Sequence, residues 1–411
     1  MTQLFVGNFD FESTLIVPSG AQNAARPGRI VAELAPVWIA AAEEGDILWC
    51  REPINSAFFA QLHQQGLPRV LPVSQTSDIP SGLNLVPWGW TDDVIRRGRS
   101  TGAVIDAPPL NAVREINSRR FSSRLELDWG VGLEGAAVAE SLSGMFEAID
   151  RLPSLGAGWV VKAEFSNSSR ERFLHRGNRH WDRDTLARWA ERRLAMGQAL
   201  FVEPWVERVD EVGVQMTVRE SGEHRVDGVS RLLVDGAGRY RGSEFTPTLD
   251  DDPDWQDAVA MALMAADAIQ QTGYFGPLGI DAMRYRDAAG SLRLRPIQDV
   301  NARWTIGRLS LGLRRLLRSG ERGYWLHSPH PTCSERKGMT NPDLQQRILS
   351  TSGIPHELGR QPQSPMTVRE IVTSPDVIGG RPVRHFSAIS MISSSDPLDP
   401  GCLKAAEAPA T

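Results

Sequence analysis

The sequence predicts a mixed α/β and α+β protein: a small N-terminal α/β domain (1–110), a larger two-subdomain unit (111–325) and an irregular C-terminal extension (326–411). Three observations predict it. Short apolar runs alternate with helical patterns over the first 110 residues, which is the signature of a parallel layer. From about residue 111 strands of longer alternating pattern follow one another, as antiparallel sheets require. After about 326 the chain turns Pro-, Ser- and Thr-rich, ending in SSSDPLDPGCLKAAEAPAT, so one or two short strands and a disordered tip are expected there.

In the first domain, QLFVG (3–7), DILWC (46–50), RVLPV (69–73) and NLVPW (84–88) have strand length, and IVAELAPVWIAAAEEG repeats its apolar residues at helical spacing. No G-x-G-x-x-G follows the first strand, which argues against a dinucleotide fold. FVGNFDFE could line a ligand crevice, although a plain strand–loop connection accounts for it better. Beyond it, NAVREINSRRFSSRLELDWG reads as an arginine-studded helical stretch and GWVVKAEF (158–165) as a strand carrying a lysine. DRDTLARWAERRLAMG (182–197) is an amphipathic helix with Gly197 at its end. ALFVEPWVE (199–207), VGVQMTVRE and RVDGVSRLLVD are strands, and DDPDWQDAVAMALMAADAIQQTG (251–273) is a long helix.

Length and charge bound the function. At 411 residues the chain holds two or three subdomains of roughly 100–200 residues each. A net charge of −5 disfavours nucleic acid as the main partner. No apolar run reaches about 18 residues, so no membrane partner is expected. The N-terminus lacks a signal-peptide pattern, and Cys50, Cys333 and Cys402 are odd in number and far apart, so a reduced, cytoplasmic location is expected. HSPHPTC (327–333) lacks the second half of a zinc motif and reads as loop.

The chemistry concentrates in GPLGIDAMRYRDAAGSLRLRPIQDVNARWTIGR. DAAGS, with Gly290 at its tip, is a turn between two alternating segments. In a hairpin centred there Asp281 faces Asp299, and two carboxylates opposite each other repel unless a cation lies between them. Asp281, Asp299 and the Asn301 amide oxygen are hard ligands suited to Mg²⁺, with Mn²⁺ as the alternative. Asp299, Asn301 and Arg303 alternate, so they would share one strand face. Of the 45 basic residues only Lys162, Lys337 and Lys404 are lysines. Lys162 sits mid-strand, where an unpaired ammonium is costly to bury and a phosphate would relieve the cost. The loop after it, SNSSRERF, offers Ser168 and Ser169 to phosphate oxygens. Backbone groups at Trp205 and Val206 could read an adenine edge, with Glu211 accepting from ribose.

This ordered set resembles the ATP-grasp superfamily of carboxylate–amine (or carboxylate–thiol) ligases, over roughly 111–320. The resemblance implies that Lys162, the 165–173 loop, Glu203 and Glu211 hold ATP, that Asp281 and Asp299-x-Asn301-x-Arg303 hold Mg²⁺ and substrate, and that 1–110 is the domain preceding the ATP-grasp core. It makes Arg119 (Arg120 in a shifted register) the counterpart of an early nucleotide-contacting lysine. Asp299 stands where the family motif has Glu, and the phosphate loop has Ser and Asn where many members have glycines. The implied reaction passes through an acyl phosphate: Lys162 and the metal neutralise ATP, and Arg303, with Arg308 as a weaker candidate, holds the carboxylate. The likeness extends to pheganomycin-type peptide ligases, which implies small-molecule carboxylate and amine substrates, amino acids or a small peptide first among them; a homodimer is left open. A kinase on the same fold and a non-catalytic nucleotide-binding protein are the alternatives.

Overall fold

The computed structural model describes residues 1–16, 29–153, 158–165, 171–177, 181–329 and 367–393. Four short strands, β1 (Gln3–Val6), β2 (Ile47–Trp49), β3 (Leu71–Val73) and β4 (Asn84–Pro87), pair in parallel in the order β3-β2-β1-β4. Around them lie α1 (Phe11–Leu15), α2 (Arg29–Glu33), α3 (Ser56–Gln64) and α4 (Asp92–Ser100). The helix expected across IVAELAPVWIAAAEEG is interrupted: α2 ends at Glu33 and residues Ala35–Ala40 tighten into a 3₁₀ turn. Pro36 is the cause, because it has no N–H for an α-helical bond.

Two helices lead out of this domain, α5 (Leu110–Ile116) and α6 (Arg119–Trp129), so the arginine-studded stretch is broken once. Ser118 makes the break by accepting from the Arg120 N–H, and Gly130, with φ +65°, closes α6. A small lobe follows: β5 (Ala137–Ala139), β6 (Gly158–Ala163), β7 (Arg172–Arg176) and β8 (Leu200–Pro204) form an antiparallel sheet in the order β5-β8-β6-β7. Helices α7 (Leu142–Arg151) and α8 (Arg183–Leu194) cover it, and Met145, Val161, Leu186 and Val202 give this lobe a core of its own.

The large lobe is an eight-stranded antiparallel sheet. Its strands are β9 (Glu207–Val218), β10 (Arg225–Val234), β11 (Tyr240–Phe245), β12 (Gly276–Arg286), β13 (Leu292–Asn301), β14 (Glu321–Pro329), β15 (Thr367–Val372) and, after a two-residue pair β16 (Val377–Ile378) and β17 (Arg381–Pro382), β18 (His385–Ser393). The order is β13-β12-β9-β10-β11-β14-β18-β15, with α9 (Gln256–Gln270) and α10 (Ile306–Gly312) packed on it. The extension is thus less irregular than its composition suggests. Between the Pro-rich segments, TVREIV and HFSAISMIS join the main sheet, and β18 is buried along seven consecutive residues. Ser387 is satisfied inside it, its hydroxyl sharing a hydrogen bond with Thr373 Oγ1 at 2.8 Å and its N–H donating to Ser374 Oγ at 3.1 Å, while the buried Ser390 hydroxyl has no partner among the described residues.

The first domain and the large lobe share one core, in which the Trp304 ring packs edge-on to Trp38 at 5.2 Å and Phe5 at 6.5 Å. At Gly312 the backbone of α10 comes so near the 3₁₀ turn that a Cβ would lie 2.1 Å from the Ala40 carbonyl oxygen. Gly312→Ala is therefore expected to push the two apart, at a cost of about 1–3 kcal/mol or more, read as a lower midpoint in urea with an unchanged slope. An unchanged midpoint would mean that the contact is soft.

Candidate nucleotide and metal site

The β12–β13 hairpin turns at Asp287, whose Oδ1 accepts from the N–H groups of Ala289 (3.0 Å) and Ser291 (2.9 Å), with Gly290 at φ +78°. That turn sets the register, and Asp281 pairs with Asp299 as the sequence predicted. Asp281 has no ion-pair partner among the described residues, and burial together with the charges of Asp299 and Glu211 pushes its carboxyl up to about 8. The guanidinium of Arg119, at the start of α6, forks onto both oxygens of Asp299 at 3.3 Å. Arg120 turns away to Glu140 (2.5 Å) and Glu164 (3.2 Å), so the unshifted register is the one that faces the cleft.

The expected common face of Asp299, Asn301 and Arg303 is only partly realised, since β13 ends at Asn301. Asn117 takes over as partner of Ala302, accepting from its N–H at 3.1 Å and donating to its carbonyl at 3.4 Å. Arg303 lies past the ladder, and its side chain folds back to donate to Asn301 Oδ1 at 2.9 Å. It also pairs with Glu12 of α1 at 2.6 Å. Among the described residues no cluster of three or more His, Cys, Asp or Glu side chains has metal-cage geometry. Any cation here would rest on Asp281, Asp299 and the Asn301 amide, with water or phosphate completing its shell. Arg308 is committed elsewhere, to the Met216 carbonyl (2.7 Å), Thr217 Oγ1 (2.9 Å) and Asp227 (2.8 Å), and does not reach this cleft.

Lys162 on β6 meets Glu203 on β8 at 2.6 Å. Burial lowers the ammonium to about 8, against the pull of Glu203. Burial alone would raise Glu203, but Arg295 and Lys162 hold it well below the usual carboxylate range. Arg295 was not singled out from the sequence. It donates to both oxygens of Glu203 at 3.1 Å and to Glu126 on α6 at 2.5 and 2.8 Å. Glu126–Arg295–Glu203–Lys162 is therefore one buried chain of alternating charge running from α6 through the large lobe into the small one. A bulge in β13 at Pro296–Gln298 brings Gln298 to the same cleft, where it donates to Glu211 at 3.3 Å; Glu211 also pairs with Arg208 at 3.1 Å.

Trp205 and Val206 form the two-residue joint between β8 and β9 and line this cleft with Lys162, Glu203 and Arg295. The Trp205 N–H already donates to the Gly158 carbonyl at 2.9 Å, which leaves Val206, paired in neither strand ladder, as the backbone better placed to meet a base edge. Ser168 and Ser169 lie outside the described residues, as do His330 and Cys333 of HSPHPTC. Glu12, Glu126, Arg208 and Gln298 were also missed; among them only Glu12, six residues past β1 at the end of FVGNFDFE, carried a local signal. Among the described residues no helix is long and apolar enough to cross a membrane.

No family model matches the chain. Among curated proteins, the [butirosin acyl-carrier protein]–L-glutamate ligase of Niallia circulans is 25% identical over 297 residues, 65% of this chain and 65% of that protein. The chain thus spans less than two thirds of the length of that relative. Among solved structures, Rhizobium etli pyruvate carboxylase with the allosteric activator acetyl coenzyme-A superposes with a TM-score of 0.52 at 13% identity, over 97% of this chain and 36% of that one. N5-carboxyaminoimidazole ribonucleotide synthetase from Thermus thermophilus gives 0.46 at 14% identity, over 94% and 93%.

Proposed function

We propose that this chain, built on the ATP-grasp fold, joins a carboxylate to an amine at the expense of ATP, releasing ADP and phosphate. The observation that carries the reading is the Asp281–Asp299 pair placed across one ladder and bordered by two cations, Arg119 and Arg303. A divalent cation held by Asp281, Asp299 and Asn301 would screen the two carboxylates and the phosphate oxygens together. Lys162 would exchange Glu203 for a phosphate oxygen, a swap between two anionic partners that keeps its charge compensated. Glu211 would accept from ribose, and Val206 would meet the base. Arg303 would hold the acid while its oxygen attacks the γ-phosphorus in line. The resulting acyl phosphate is then attacked by the amine.

The test is ATP and Mg²⁺ with candidate acids and hydroxylamine as trapping nucleophile. L-glutamate comes first among them, because the curated relative is named for it; the acyl-carrier protein in that name makes a carrier-bound acceptor the second thing to try. Acid-dependent hydroxamate and ADP are expected, whereas a stable phosphorylated product would point to a kinase.

Cation affinity should depend on pH. Binding needs the ionised form of Asp281, and with that group near 8 the affinity for Mg²⁺ rises by up to about tenfold per pH unit below pH 8 and levels off above it. Stability of the ion-free protein runs the other way. The folded value lies above the ordinary 3.8, so the contribution of this group is complete below that value and is lost as pH climbs through about 8. Titrations of Mg²⁺ against pH, with melting curves in chelator, read both slopes; a flat affinity between pH 6 and pH 8 would remove Asp281 from the site.

A further inference from the structure

Glu12 stands at the beginning of α1 with 6% of its surface exposed. One of its oxygens, Oε1, pairs with Arg303 Nη2 at 2.6 Å. The other, Oε2, is buried and has no hydrogen-bond partner among the described residues. Arg303 is in the matching condition. Its Nη1 donates to the Trp304 carbonyl and its Nη2 to Asn301 Oδ1, while its Nε is buried and unpartnered. The cleft that Glu12 borders is the one lined by Asp299, Asn301, Asn117 and Arg119. A buried acceptor of negative charge and a buried donor of positive charge are thus left over within one ion pair. Buried polar atoms of this kind are exceptions that call for a partner. The group complementary to both at once is a zwitterion.

We propose that Glu12 is the ammonium-binding residue of the substrate site, and that the Glu12–Arg303 pair selects an amino acid. The ammonium goes to Glu12 Oε2 and a carboxylate to Arg303 Nε. This deepens the ligase reading and rests on it for the position of the acid. Neutral acids of similar shape leave Glu12 Oε2 unpaired, which is how a site built for a charged group rejects an analogue that lacks it.

The test is equilibrium binding, by calorimetry in Mg²⁺ and ADP, of each standard amino acid and its N-acetyl derivative. At least one amino acid is expected to bind, with its N-acetyl form about tenfold weaker or more in the wild type. Glu12→Gln is expected to erase that difference while leaving affinity for the N-acetyl form unchanged, and Glu12→Asp to restore part of it. The wild-type comparison stands without any variant, so a Glu12→Gln protein that fails to fold does not remove the test. Binding by no amino acid, acetylation without penalty, or equal weakening of both forms in Glu12→Gln would overturn the proposal. Binding that persists where no acid gives hydroxamate or ADP overturns the ligase reading and leaves the amino-acid pocket supported.

Discussion

Alanine at Asp299 is expected to lower ADP release by roughly 10³-fold, the scale of removing a preorganised charge from a phosphoryl-transfer site. The side chain serves two neighbours at once. It faces Asp281 across the ladder, and it takes both arms of the Arg119 guanidinium at 3.3 Å. Asp299→Ala removes the like charge facing Asp281, so its carboxyl should fall from about 8, with burial still holding it above the ordinary range. The ion-free variant should accordingly melt no lower than the wild type at pH 8, because a like-charge repulsion has gone. Turnover measured beside a melting curve separates loss of chemistry from loss of fold. Turnover at the wild-type level would place the metal elsewhere. Lys162→Ala is expected to abolish ADP release in the same assay, and it leaves Glu203 with Arg295 as its cationic partner among the described residues.

Arg295→Leu should be the most destabilising single change in the cleft, by about 3–5 kcal/mol, since it strands a buried carboxylate. Glu126 would suffer most, because Arg295 is its ion-pair partner among the described residues, while Glu203 keeps Lys162. Adding Glu126→Gln to Arg295→Leu should recover a large part of the loss, the signature of two residues acting as a pair. The deficit should also shrink as pH falls. Without Arg295 both carboxyls titrate higher in the folded state, so stability lost at neutral pH returns once they take up protons. Denaturant midpoints of the single and double variants at pH 5 and pH 8 measure all of this. A loss under about 1 kcal/mol would show that the alternating charge chain is dispensable to the fold.

How legible the site was depends on how local each contact is. Asp281 opposite Asp299 could be read because a hairpin couples residues through its turn, and the turn at Asp287–Gly290 is written in side chains that sit beside it. Lys162 stood out because a lysine mid-strand in a chain of arginines has few inexpensive explanations. By contrast, nothing in SLRLRPIQ sets Arg295 apart from Arg293 two residues before it. Its partners are 169 residues away at Glu126 and 92 away at Glu203, and no pattern of period two or 3.6 registers a contact at that separation.

The same distinction runs through the rest of the chain. Apolar periodicity was enough for the parallel layer, the antiparallel strands and helices α6, α8 and α9, because burial of one face imposes its period on the sequence directly. It gave no position for HFSAISMIS, where Ser387 fits a buried strand only because Thr373 and Ser374 are brought beside it. It also ran β13 through Arg303, whereas Asn117 at the end of α5 takes up the Ala302 N–H and Arg303 pairs with Glu12. Local hydrogen-bond geometry and hydrophobic period belong to neighbours in the chain and can be read from it. Which charge neutralises which, and so which oxygen and which N–H are left over for a substrate, is settled only when three separate units close around one cleft.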